Sequence, residues 1–152
     1  MHMKFIVLLL LRDYIVTAAN AKKNKYANIF VWTIDSLNPI CQLPAHLYTV
    51  HQLAFSPDDQ YLLSVSRDRQ FSIFQRNNDE KEPFKLIQVQ EQAHKRILWC
   101  CSWSHNSKYF ATGSREKNNS LKFWDYSDQE EKWVEHSNIT KGVTNVTALA
   151  FF

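Results

Sequence analysis

Residues 93–125 read AHKRILWCCSWSHNSKYFATGSREKNNSLKFWD, and residues 45–75 read AHLYTVHQLAFSPDDQYLLSVSRDRQFSIFQ. Each begins with Ala-His, runs through an apolar stretch to an aromatic residue, turns, runs through a second apolar stretch, turns on charged residues, and closes on a third. A shift of 48 carries His46 to His94, Leu53 to Cys101, Phe55 to Trp103, Tyr61 to Tyr109 and Ser64 to Thr112. The same shift applied twice takes Val50 through Leu98 to Val146, and Phe55 through Trp103 to Phe151. Self-similarity at such a period, built from short strands, is the mark of a repeat array and outranks any local motif. The expected fold is all-β: an incomplete β-propeller of about three four-stranded blades and the first strand of another.

Working backwards, Tyr14-Ile15-Val16-Thr17 falls on Tyr61-Leu62-Leu63-Ser64 and Trp32 on Phe74. The chain divides into an atypical first blade at 1–43, repeat blades at 44–91 and 92–140, and a lone strand at 141–152. Val50 to Phe55 alternates as a half-buried strand should, and Ser56-Pro57-Asp58-Asp59 is a tight turn with proline at its second position. The last strand of the third group is weak, centred on Trp133-Val134. The opening run Phe5 to Leu11 is too short to span a bilayer, which needs about 20 residues, and no small-residue cleavage site follows it. It reads as a core strand, and no membrane partner is expected.

Several chemistries are excluded. Gly113 and Gly142 are the only glycines, so neither a Walker loop nor a GxGxxG turn is available to bring backbone amides onto phosphate. Cys41, Cys100 and Cys101 are an odd set with two neighbours that point to opposite faces of a strand, which disfavours a disulfide and a tetrahedral zinc site. They read as reduced thiols of a cytoplasmic or nuclear protein. His46, Ser64 and Asp68 match the residue types of a hydrolytic triad, but all fall inside strands or turns with no oxyanion site indicated. The chain is therefore expected to be no enzyme, with no cofactor, metal or small-molecule substrate. A net charge of +3 is far below that of a dedicated nucleic-acid domain.

The repeat resembles the WD-repeat family over essentially the whole chain. That resemblance implies a structural network in which the turn carboxylate accepts from histidine, histidine bonds a hydroxyl, and the hydroxyl bonds an indole N–H. His94, Thr112, Glu116 and Trp124 occupy those places in the third group; His46, Ser64 and Asp68 occupy them in the second, where Phe74 replaces tryptophan. Three segments, AANAKKNKYANIFVW, AFSPDDQYLLSVSRDRQFSIF and RILWCCSWSHNSKYFATGSREK, are similar to the family of second subunits of the Elongator complex. This implies a non-catalytic scaffold that holds the largest and catalytic subunits together in support of wobble-uridine modification of tRNA. The aliphatic start and the Phe151-Phe152 end suggest a fragment of such a protein. An adaptor of a different multiprotein complex is the competing reading.

A four-strand meander sends alternate connections to opposite ends. Lys22, Lys23, Lys25, Arg67, Arg69, Lys95, Arg96, Arg115 and Lys117 fall in or beside one set; Asp58, Asp59, Asp79, Glu80, Glu82, Asp128, Glu130 and Glu131 fall in the other. The basic face is expected to meet an acidic partner, protein or, more weakly, RNA backbone. No aromatic residue for base stacking stands out in its loops, which favours protein.

Overall fold

The computed structural model describes residues 5–11, 14–19, 27–35, 38–139 and 143–151. Strands β1 (Phe5–Leu11), β2 (Tyr14–Ala19), β3 (Ala27–Thr33) and β4 (Cys41–His46) form one antiparallel meander. β5 (Val50–Phe55), β6 (Tyr61–Ser66), β7 (Phe71–Arg76) and β8 (Phe84–Gln90) form a second. β9 (Leu98–Trp103), β10 (Tyr109–Ser114), β11 (Leu121–Ser127) and β12 (Lys132–Ile139) form a third. The sheets stand side by side, with β1, β5 and β9 neighbouring one another in turn. Three such sheets make an arc that does not close.

The sequence of the middle sheet follows from this stacking. A strand with one wet face alternates apolar and polar residues, whereas one covered on both faces reads as a continuous apolar run. β6 is Tyr-Leu-Leu-Ser-Val-Ser and is buried from Leu62 onward. Leu62 and Phe74 point into a core shared with Val16, Ile29, Val31 and Leu43 of the first sheet. Leu63, Val65, Phe71 and Ile73 point the other way, into a core with Leu98, Trp103, Phe110, Trp124 and Trp133 of the third.

The turns repeat as faithfully as the cores. Ser56 and Ser104 each accept the backbone N–H of the tyrosine five residues on, Tyr61 and Tyr109, through Oγ. Asp59 and Ser107, in equivalent places, both take a positive φ, 61° and 58°. Neighbouring sheets are also tied by hydrogen bonds. Trp103 Nε1 donates to the carbonyl of Ala54 (3.1 Å) and the Cys101 N–H to Gln52 Oε1 (3.1 Å). At the outer rim the Gln88 side chain donates to the Trp133 carbonyl and accepts from its N–H, both at 2.8 Å.

Two expectations need correction. β12 is no weak stub but runs eight residues, Lys132–Ile139, paired along the whole of β11. Residues 143–151 form no strand, because a first strand pairs only with the second strand of its own sheet. The segment nevertheless sits where the register puts it. Val146 N–H donates to the Ser114 carbonyl (2.9 Å), and Tyr109 meets Phe151 edge-on at 5.8 Å, where one repeat earlier Tyr61 meets Trp103 at 5.9 Å with the rings stacked.

Gly113 is what admits Val146. A Cβ at Gly113 would stand 2.5 Å from both Val146 Cγ1 and Cys100 Sγ. Gly113→Ala is therefore expected to push the segment off the third sheet and cost about 1–3 kcal/mol, the usual range for overpacking. Limited proteolysis should then cut within 143–151 well before the sheets, and equal protection in wild type and variant would show that the contact is dispensable.

Candidate functional site

Two polar assemblies stand out, one inside the sheets and one on their surface. The internal one is best formed in the third sheet. Glu116 Oε1 lies 3.1 Å from His94 Nδ1, His94 Nε2 lies 2.9 Å from Thr112 Oγ1, and Trp124 Nε1 donates to that hydroxyl at 2.8 Å. A carboxylate can only accept, so Nδ1 carries the imidazole proton and Nε2 accepts from the threonine hydroxyl. The donors then run in one direction, Trp124 to Thr112 to His94 to Glu116, and Glu116 Oε1 also accepts the Lys95 N–H at 2.7 Å. Burial lowers the His94 pKa, outweighing the opposing pull of the Glu116 charge.

The second sheet repeats the core of this chain: His46 Nδ1 to Asp68 Oδ2 at 3.0 Å and His46 Nε2 to Ser64 Oγ at 2.8 Å. Burial of Asp68 pushes its pKa up, but the His46 hydrogen bond and charge, with backbone N–H groups of Gln70 and Leu47, bring it below the ordinary value. Phe74 supplies no donor there. In the first sheet Trp32 Nε1 donates to Thr17 Oγ1 at 2.9 Å. His46, Ser64, His94 and Thr112 are all fully enclosed or nearly so. These hydroxyls are closed off from solvent, and each links strands of its own sheet through the imidazole beside it. Burial also lifts the Cys41 and Cys100 thiols to about 11 and Cys101 well above its ordinary value, which keeps them protonated and poor nucleophiles. No group of three His, Cys, Asp or Glu among the described residues could hold a metal ion.

The surface assembly is a groove of about 770 Å³ where the connections β6–β7, β8–β9 and β10–β11 come together. Arg67, Arg69, Lys95, Arg96, Arg115 and Lys117 all line it. The structure thus gathers six of the nine basic residues singled out above; Lys22, Lys23 and Lys25 lie outside the described residues. It also adds two that were overlooked. Trp99 lines the groove, with the Arg115 guanidinium 4.3 Å above its ring and the His51 ring 4.3 Å from its centroid. His51 and Trp99 sit in strands rather than loops, yet they are 48 residues apart, the same place in consecutive repeats. The register could have paired them. Burial, with Arg67 and Arg115 nearby, lowers the His51 pKa.

Side-by-side antiparallel four-stranded sheets, the third braced by a complete carboxylate–imidazole–hydroxyl–indole chain and the others by parts of it, define a WD-repeat β-propeller arc. The chain belongs to that family: the model for the WD domain, G-beta repeat, matches residues 37–75 and 84–125. Among solved structures, the β-propeller domain of Cps50 (Swd1) from Myceliophteria thermophila superposes with a TM-score of 0.76 at 12% identity, over 96% of this chain and 46% of that one. More specifically, the chain is similar to Elongator complex protein 2. It is 37% identical to the Homo sapiens protein over 83% of this chain, 40% to that of Arabidopsis thaliana over 74%, and 32% to that of Schizosaccharomyces pombe over 90%. The matches cover 16%, 13% and 18% of those proteins, so the chain spans less than a fifth of their length.

Proposed function

We propose that the chain is a non-catalytic scaffold element of an Elongator-type assembly. In this role it holds the largest and catalytic subunits through protein–protein contacts and supports wobble-uridine modification of tRNA in the cytoplasm and nucleus. The observation that carries the reading is identity of 32–40% to Elongator complex protein 2 in an animal, a plant and a fungus, spread over most of the chain. The braced sheets supply a stiff frame, and the basic groove supplies a surface complementary to acidic partners. Protein ranks ahead of RNA backbone there because the Trp99 ring is already engaged by Arg115 and His51, whereas base stacking needs open aromatic faces.

The test is affinity purification of the tagged chain from cells, with Arg67, Arg69, Arg115 and Lys117 all reversed to glutamate in the variant. Recovery of the largest and catalytic Elongator subunits should fall several-fold, and the difference should widen at low salt because exposed charges are then less screened. Unchanged recovery by a folded variant would rule out the basic face as the docking surface. Recovery of another assembly's subunits in place of Elongator would overturn the scaffold assignment itself.

A further inference from the structure

We propose that the groove receives a phosphorylated segment of a partner protein, with its phosphate groups seated among Arg67, Arg69, Arg96 and Arg115. The inference rests on the scaffold reading only in taking the partner to be a protein, and it names the chemistry that the surface recognises.

The first observation is uncompensated charge. Among the described residues the ion pairs are His46–Asp68, His94–Glu116, Lys122–Glu135, Lys132–Glu130 and His136–Asp125. None involves the six cations of the groove. The carboxylate on its wall, Glu116, is buried and already bonded to His94 and the Lys95 N–H. Three connections from two sheets therefore bring like charges together, an arrangement that favours a concentrated negative partner.

The second is the kind of cation and how it is held. Four of the six are arginines, whose planar fork matches phosphate oxygens two at a time. The Arg115 guanidinium lies over the Trp99 ring, 4.3 Å from its centroid, and His51 supports that ring in turn. A cation held over an aromatic face loses freedom while its outward N–H groups can still meet an anion. Beside it, two buried polar atoms, Trp99 Nε1 and His51 Nε2, have no hydrogen-bond partner among the described residues.

The third is the wall. Ile97 and the Trp99 ring give the groove apolar surface between its charges, which suits the side chains of a peptide better than a bare polyphosphate. An extended peptide presents a side chain to one face every ~7 Å, so a groove of about 770 Å³ takes in two or three at a time. As carboxylates these bring two or three charges, at most half of what six cations call for. Two phosphoserines bring ~3–4 charges and three acceptor oxygens each.

Fluorescence anisotropy on the 152-residue chain decides the matter. The probe is a fluorescein-labelled hexapeptide, Asp-Leu-pSer-Leu-pSer-Leu, compared with its unphosphorylated form, its form with glutamate at both phosphoserines, and a six-nucleotide oligouridine, all at one salt concentration. The doubly phosphorylated peptide should bind about tenfold or more tighter than the unphosphorylated one, and tighter than the glutamate form, as expected for charge-assisted pairs to a dianion. Arg67→Gln with Arg115→Gln should erase that preference, and Trp99→Leu should reduce it with the sheets intact by circular dichroism. Lys132→Gln, whose partner is Glu130, should leave it unchanged. Equal affinity for the phosphorylated and glutamate peptides, tighter binding of the oligouridine, no binding at all, or indifference to the double arginine variant would each overturn the proposal. If the peptide fails while Elongator subunits still co-purify, only the phosphate chemistry falls. If it binds while those subunits are absent, the scaffold reading falls and the site stands.

Discussion

His94→Leu should lower the unfolding free energy of the chain by about 3 kcal/mol, the low end for leaving a buried carboxylate without its partner. The loss is not that of one hydrogen bond, which would be worth about 1 kcal/mol. Leucine leaves the buried Glu116 without its imidazole donor and Thr112 without an acceptor for its hydroxyl proton. The Lys95 N–H still reaches Glu116, which keeps the effect at that low end. Replacing both ends, His94→Leu with Glu116→Gln, should cost less than the sum of the single changes, since the uncompensated carboxylate is removed with its partner. Acid should tell the same story. His94 has a folded pKa depressed by burial, so its contribution is complete above the ordinary value of 6.5 and fades as pH falls below it, when the unfolded chain takes up the proton first. His51 is depressed too, but it is common to both proteins and cancels in the difference. Asp68, also depressed, loses its share only below 3.8. Urea melts of wild type and His94→Leu across pH 5–8 should therefore converge toward the acid end. A pH-independent gap would show that His94 is not held neutral.

What made most of this legible is that a propeller writes its structure in register. The 48-residue shift marks the cores, the turns and the buried histidines in the sequence itself, because each depends on residues of a single repeat and its neighbour. The failures have physical causes. β12, Lys-Trp-Val-Glu-His-Ser-Asn-Ile, is mostly exposed beyond Trp133, so it carries no apolar pattern to read. The apolar slots of 141–152 predict a strand, yet its described part, 143–151, forms none: slots specify packing, and a ladder needs a partner strand. The groove was half legible: its cations sit in loops and advertise themselves, whereas Trp99 and His51 look like ordinary strand residues until adjacent sheets bring them together. Phe74 shows the converse. Its lost indole donor was visible at once, yet the ring is fully buried against the first sheet, so the position keeps its packing role after losing its polar one.

Phe71→Ala should be the most damaging apolar change, about 3–5 kcal/mol, and its damage should be directional. Phe71 is fully buried and meets Phe110 edge-on at 5.2 Å and Trp124 at 4.7 Å. It belongs to the core between the second and third sheets. Phe74, three residues on, belongs to the core between the first and second. In a radial stack each sheet contacts only its neighbours, so stability is close to a sum of sheet and interface terms. Removing Phe71 should accordingly raise amide exchange in β9 to β12 more than in β1 to β4, and removing Phe74 should do the reverse. Because the two residues share a strand, a size and near-zero exposure, opposite patterns can come only from the flank each one faces. Phe71→Leu, which keeps most of the volume, should cost less than about 1.5 kcal/mol. Exchange that rises equally on both sides in either alanine variant would mean that the three sheets melt as one unit and that the interfaces are not separable.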